Sequence, residues 1–308
     1  MIPERLIPLM IALALSSSPG LNGANAPAGY IDVPLWQGVP PGTPDGALPP
    51  EKNVDDAHTA HVAAPSLWLS LPDKKQGGQP VPLVLLMPGG GYGIVGHKYE
   101  GTEIAAYLKS RGIASAVLLY RCSPQQFPAP LLDARRALAI LHDRAAEWNV
   151  DPGKIGVMGF SAGGHLAGLA TSTLPAGPAS PASVRPAFSI LVYPVVRLRG
   201  PLSHGGSGVN LLGKERMALA NEADHLAIDN LVDDHWPRTY LLHEKDDPAV
   251  PPAGTLALAT AMEKLKVPHQ IHLEPGNDHG FGWNRPDAAG KIRGPAGWLP
   301  RVADWILE

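Results

Sequence analysis

The chain has 308 residues, 44% of them hydrophobic and 17% charged, with a formal net charge of −3. This is ordinary globular composition at a length that can bury a full core. Basic residues are scattered, with no run of five or more, which excludes the electrostatic footprint of a nucleic-acid binder. Cys122 is the single cysteine, so no intramolecular disulfide can form and a packed thiol is expected.

Residues 1–26, "MIPERLIPLMIALALSSSPGLNGANA", read as an export signal. Arg5 precedes an apolar core from Leu6 to Leu15, too short to span a bilayer, and Ala24-Asn25-Ala26 fits an A-x-A cleavage pattern. A periplasmic or extracellular location is expected, with no membrane span in the mature chain. Residues 27–308 are expected to form one domain. Its first part, 27–65, is rich in Pro and Gly ("VPPGTPDGALPP") and reads as an irregular surface arm.

Strand and helix patterns then alternate. "SLWLSL" (66–71) reads as a strand, and "VPLVLLMP" (81–88) and "GIASAVLLY" (112–120) as strands buried on both faces. Residues 98–111 and "LLDARRALAILHDRAAEW" (131–148) carry helical spacing; in the latter Ala134, Leu138, Leu141 and Ala145 recur at three and four. Further strands are expected at 154–160, 188–194, 238–243 and 269–275. Helices are expected after Ser161, at 254–266 and near 297–307. Such alternation implies an α/β fold with a mainly parallel sheet and helices on both faces. Residues 196–236 show the least regular pattern and suit a partial lid or substrate wall.

"GFSAGGHLAGLA" (159–170) places Ser161 in a G-x-S-x-G turn between a strand and a helix. There a serine can act as a nucleophile, given a base and an acid that orients the base. In this strand order both lie downstream, acid first. "LLHEKDDPAVPP" (241–252) ends a strand in two aspartates, of which Asp247 is favoured and Asp246 competes. "EPGNDHGFGW" (274–283) supplies His279 after the last strand. His165 and His243 read as structural.

The tetrahedral oxyanion needs backbone donors. Ala162 is one candidate; Gly90 and Gly91, in the Gly89–Gly91 loop after a buried strand, are the others. Tyr92, His97 and Glu100 continue that loop and are candidates for lining the substrate pocket. The loop has no Lys-Ser/Thr pair after it, as a phosphate cradle requires, and no metal-ligand spacing stands out. No cofactor or metal is expected.

Together, "PLWQGVPPG", "PGGGYGIVGHKYEG", the block 131–167 ending in "GFSAGGHLA", "LVYPV", "DDPAVPP" and "DHGFG" resemble the α/β-hydrolase superfamily. More narrowly, they are similar to bacterial esterases of the acetylxylan and bifunctional feruloyl/acetylxylan type. The resemblance implies an α/β-hydrolase fold with an eight-stranded sheet and an acyl-enzyme mechanism through Ser161, His279 and Asp247. It also implies acetyl esters of plant polysaccharides or oligosaccharides as substrates. Two positions depart from the pattern: Glu244 stands where relatives commonly have glycine, and Pro88 replaces the histidine of the hormone-sensitive-lipase pattern. Rival readings are a short-chain esterase on other esters, a prolyl-oligopeptidase-type serine peptidase, and an inactive carbohydrate-binding relative.

Overall fold

The computed structural model describes residues 26–43, 49–73, 78–177 and 184–308. The expected leader, Ala26 apart, lies outside the described residues.

Eight strands make one sheet. They are β1 (Ile31–Pro34), β2 (Ser66–Ser70), β3 (Val81–Met87) and β4 (Ala114–Leu119). β5 (Val150–Phe160), β6 (Phe188–Val192), β7 (Arg238–Glu244) and β8 (His269–Glu274) complete it. The spatial order is β1-β2-β4-β3-β5-β6-β7-β8. β2 runs antiparallel to β1 and β4, and all pairs from β4 to β8 are parallel. This is the mostly parallel eight-stranded α/β sheet expected from the sequence. Every residue of β4 and β6 is buried. Successive side chains point to opposite faces, so both faces of the sheet are covered.

The helices are α1 (Glu103–Ser110), α2 (Ala129–Asp143), α3 (Ala162–Thr171) and α4 (Gly205–Ala218). α5 (Ala220–His225), α6 (Pro252–Lys264) and α7 (Trp298–Leu307) follow. Among the described residues no helix is long and apolar enough to cross a membrane. α2 buries the expected stripe of Ala134, Leu138 and Leu141 but ends five residues early. Its last turn tightens, with Ala145 N–H bonding to His142 O, and Ala145 stays buried.

Three stretches differ from expectation. The helix foreseen over 98–111 opens with a π-type turn, Lys98–Thr102, before α1. The arm is not wholly irregular, because Ile31–Pro34 adds β1 to the sheet edge. The segment 196–236 contains α4 and α5. Gly205, Gly206, Gly208 and Gly213 depress helix propensity there, and tertiary packing overrides it. Gly213, at φ 77°, breaks α4, and His204 caps it by accepting the Ser207 N–H.

A buried ion pair ties the arm to the body. Arg121, just past β4, and Asp133 of α2 are both fully buried, with Nη2 to Oδ1 at 2.8 Å. The Asp133 carboxylate also accepts Arg121 N–H at 2.9 Å and Trp36 Nε1–H at 2.8 Å. The Arg121 guanidinium reaches Pro41 O at 2.8 Å and Ala129 O at 3.2 Å. Removing one partner of such a pair strands the other charge in the core. Asp133→Ala is expected to lower unfolding stability by about 3–5 kcal/mol, read as a lower midpoint in urea.

Candidate active site

The parallel strands deliver their loops to one end of the sheet, as open α/β sheets do. After β5, Ser161 sits at φ 53°, a strained conformation for a residue with a side chain. Such strain costs about 1–3 kcal/mol and is typical of functional turns. It is tolerated because neighbouring positions carry no side chains. A Cβ at Gly163 would strike the carbonyl oxygens of Met87 and Pro88, and one at Gly159 would strike Gly163 O. The Ser161 side chain does not cap α3; its Oγ–H instead donates to His279 Nε2 at 2.9 Å. His279 Nδ1–H donates to Asp247 Oδ2 at 2.6 Å.

Asp247 Oδ1 accepts the N–H groups of Ala249 at 2.8 Å and Val250 at 2.9 Å. His243 Nε2 lies 3.1 Å from Oδ2. Burial alone would raise the Asp247 pKa, but donors from His243, His279 and the Val250 N–H hold it well below the usual carboxylate range. Asp246 is exposed. Glu244, the departure from the family pattern, is buried and accepts the Asp278 N–H at 2.7 Å, tethering the residue before His279. Burial pushes its pKa up.

Ser161, His279 and the loop Gly89–Gly91 line one cleft of about 370 Å³. Gly89 donates its N–H to Glu100 Oε2 at 2.6 Å. Among the described residues nothing accepts the N–H of Gly90 or Gly91. Gly90, at φ 129°, is folded so tightly that a Cβ would collide with Ile94 O. Glu100 Oε1 accepts Tyr193 Oη–H at 2.8 Å, and Gly282 N–H donates to the same Tyr193 oxygen at 3.1 Å. Tyr193 follows β6, and its ring centroid lies 5.0 Å from that of His279.

Of the three candidate pocket residues, Glu100 lines the cleft. Tyr92 does not, because it is fully buried and its hydroxyl donates to His165 Nδ1 at 2.8 Å. His97 does not either; its ring packs edge-on against Trp68 at 5.1 Å. The cleft wall also includes His58, Tyr99, His204 and Arg285, which the sequence reading missed. Arg285 donates to Gly280 O at 2.6 Å and lies over the Tyr99 ring. A signal existed for His204, which lies within 196–236, the segment already suspected of forming a wall. Among the described residues the one group able to share a metal ion is Asp233, Asp234 and His235. It lies at the amino end of β7, away from Ser161, and Arg185 already occupies both oxygens of Asp233.

This arrangement can deprotonate a serine hydroxyl and return the proton to a leaving group. The prolyl oligopeptidase family profile matches residues 137–304, more than half of the chain. The chain belongs to this family of α/β-hydrolases. A second family profile, BD-FAE, matches residues 69–176. The hydrolase is 35% identical over 199 residues to an acetylxylan esterase of Xylanibacter ruminicola, covering 64% of this chain and 40% of that protein. It is 31% identical over 207 residues to endo-1,4-beta-xylanase B of Butyrivibrio fibrisolvens, covering 64% of this chain and 32% of that protein. The chain therefore spans less than half the length of these curated relatives. The crystal structure of an acetyl ester-xyloside bifunctional hydrolase from Caldicellulosiruptor lactoaceticus matches with a TM-score of 0.71 and 31% identity. That match covers 92% of this chain and 97% of the other. Its esterase relatives identify this domain as a carboxylic-ester hydrolase.

His165, inside the G-x-S-x-G helix, belongs to the core. Its Nε2–H donates to Leu226 O at 2.8 Å while Nδ1 accepts from Tyr92. Burial lowers its pKa to about 4. An unfolded imidazole titrates near 6.5, so between those values the unfolded chain binds more protons than the folded one. Linkage then makes stability fall as pH drops from about 6.5 towards 4, by about 3 kcal/mol for this residue. His97, lowered to about 4 by burial, acts in the same direction. His165→Gln is expected to flatten the decline in urea stability across this range; an unchanged slope would assign the decline elsewhere.

Proposed function

We propose that this hydrolase is an exported serine carboxylesterase that removes small acyl groups, acetyl foremost, from acetylated plant polysaccharides or oligosaccharides. The observation that carries the reading is the unbroken relay from Ser161 through His279 to Asp247, opening on a cleft walled by glycine. Ser161 attacks the ester carbonyl as His279 takes its proton. The N–H groups of Ala162, Gly90 and Gly91 receive the oxyanion; Gly89 is left out, its N–H being held by Glu100. Asp247 orients the imidazole and stabilises its charged form. His279 then protonates the leaving alcohol, and water releases the acyl group.

Two features support a small acyl group on a polar alcohol. Beside Ser161 the wall is Gly89, Gly90, Gly91, Gly96 and Gly280, and the apolar side chains lining the cleft are Ala57, Ile94 and Ala249. These suit a methyl group better than a long chain. Glu100, Tyr99, Arg285 and His204 offer acceptors and donors of the kind that hold sugar hydroxyls. The acetylxylan esterase and the acetyl ester-xyloside bifunctional hydrolase among the relatives agree with this chemistry.

Ser161→Ala is expected to lower kcat on p-nitrophenyl acetate by about 10⁴-fold or more; turnover near wild type would sink the mechanism. Across p-nitrophenyl acetate, butyrate and octanoate, kcat/KM is expected to fall with chain length, alongside acetate release from acetylated xylan. Activity confined to the octanoate would overturn the carbohydrate reading, and cleavage of a prolyl p-nitroanilide at comparable rates would favour a peptidase.

A further inference from the structure

Asp247 serves two histidines. Oδ2 lies 2.6 Å from His279 Nδ1 and 3.1 Å from His243 Nε2, and Oδ1 holds the Ala249 and Val250 N–H groups. A carboxylate offers about four lone-pair sites, and here all four are used. We propose that His243 is a positioning residue for this reaction: it donates to the same Asp247 oxygen as His279 and so moderates how strongly that oxygen holds the His279 proton.

The donor role follows from the surroundings of the ring. His243 is fully buried on β7, one residue before the strand end. Its Nε2 faces two acceptors, Asp247 Oδ2 and Val250 O at 3.2 Å, so this nitrogen must carry a hydrogen. Its Nδ1 faces Thr255 Oγ1 of α6 at 2.8 Å, a hydroxyl able to donate. The tautomer is therefore Nε2–H, held from behind by a helix. Sharing one oxygen divides its charge between two N–H groups, and hydrogen bonds to a charged group are the strong ones.

Other charged groups nearby do not duplicate this role. Glu244 is bound to the Asp278 N–H, and Asp278 is paired with Arg293. His204 is turned to Ser207, and Asp246 is exposed. Among the described residues, His243 and His279 are the side-chain donors to Asp247.

The inference rests on the Ser161–His279–Asp247 mechanism, and two measurements separate the claims. In the full wild-type chain, ¹⁵N NMR of the histidines is expected to show His243 as the Nε2–H tautomer. An Nδ1–H tautomer would overturn the inference whatever the enzyme hydrolyses. In the pH profile of kcat/KM on p-nitrophenyl acetate, His243→Phe is expected to move the acid limb upward by about half a pH unit. His279 would then hold its proton against an undivided carboxylate. His243→Gln, which restores an N–H donor, is expected to return the limb to the wild-type position. A His243→Phe enzyme with an unmoved limb and only a lower melting temperature would reduce the residue to packing. Should the Phe variant fail to fold, the wild-type tautomer decides.

Discussion

The site depends on one close crossing of backbones. The first turn of α3 passes over the end of β3 so tightly that Gly163 has no room for a Cβ beside Met87 and Pro88. That contact sets the distance between the turn carrying Ser161 and the loop Gly89–Gly91. Both structures present backbone N–H groups, one from a helix start and one from a glycine loop. Their separation is thus fixed by main chain rather than by flexible side chains, which suits a site that must meet a developing charge without rearranging. The strain at Ser161 is held by the same packing: its N–H bonds to Val192 O and its carbonyl accepts Val195 N–H, so the end of β6 and the segment just after it grip the turn from both sides.

A second layer of contacts joins loops that are distant in sequence. The Glu100 carboxylate takes Gly89 on one side and Tyr193 on the other, and Tyr193 in turn receives Gly282 from the loop of His279. Burial and the neighbouring carboxylate push the Tyr193 phenol well above its ordinary range, so it stays a donor. The donor loop, the strand beside the serine and the histidine loop therefore share one buried polar network. Such networks are rigid when every member is satisfied and costly when one is removed.

Much of this was legible in the sequence, for a specific reason. Ser161 and Asp247 each follow a strand whose apolar run is unmistakable, His279 follows the more polar strand β8, and the parallel topology brings all three strand ends together. Deciding between Asp246 and Asp247 needed the turn itself, because the backbone N–H groups of Ala249 and Val250 select the second aspartate. Tyr92 and His97 were placed in the pocket by proximity in sequence, but side-chain direction in a glycine-rich loop depends on backbone dihedrals that composition does not reveal. Tyr92 itself adopts φ 58° and turns into the core. His204 and Arg285 reach the cleft from segments without periodicity. β1 escaped notice because four residues among prolines carry too little pattern.

That short strand has a consequence for how the molecule behaves among its own copies. β2 is wholly buried and apolar at its centre, Leu67-Trp68-Leu69. Left as the outermost strand, it would offer an open row of peptide groups to any neighbouring chain. β1 covers it with only four residues, exposes Asp32, and ends on Pro34, which lacks an N–H. At the far edge β8 alternates His and Gln with its apolar residues and ends in Glu274. Neither margin of the sheet is a good template for a further strand, so the arm pinned by Trp36 and Pro41 also helps keep copies of this protein in a crowded solution from pairing edge to edge.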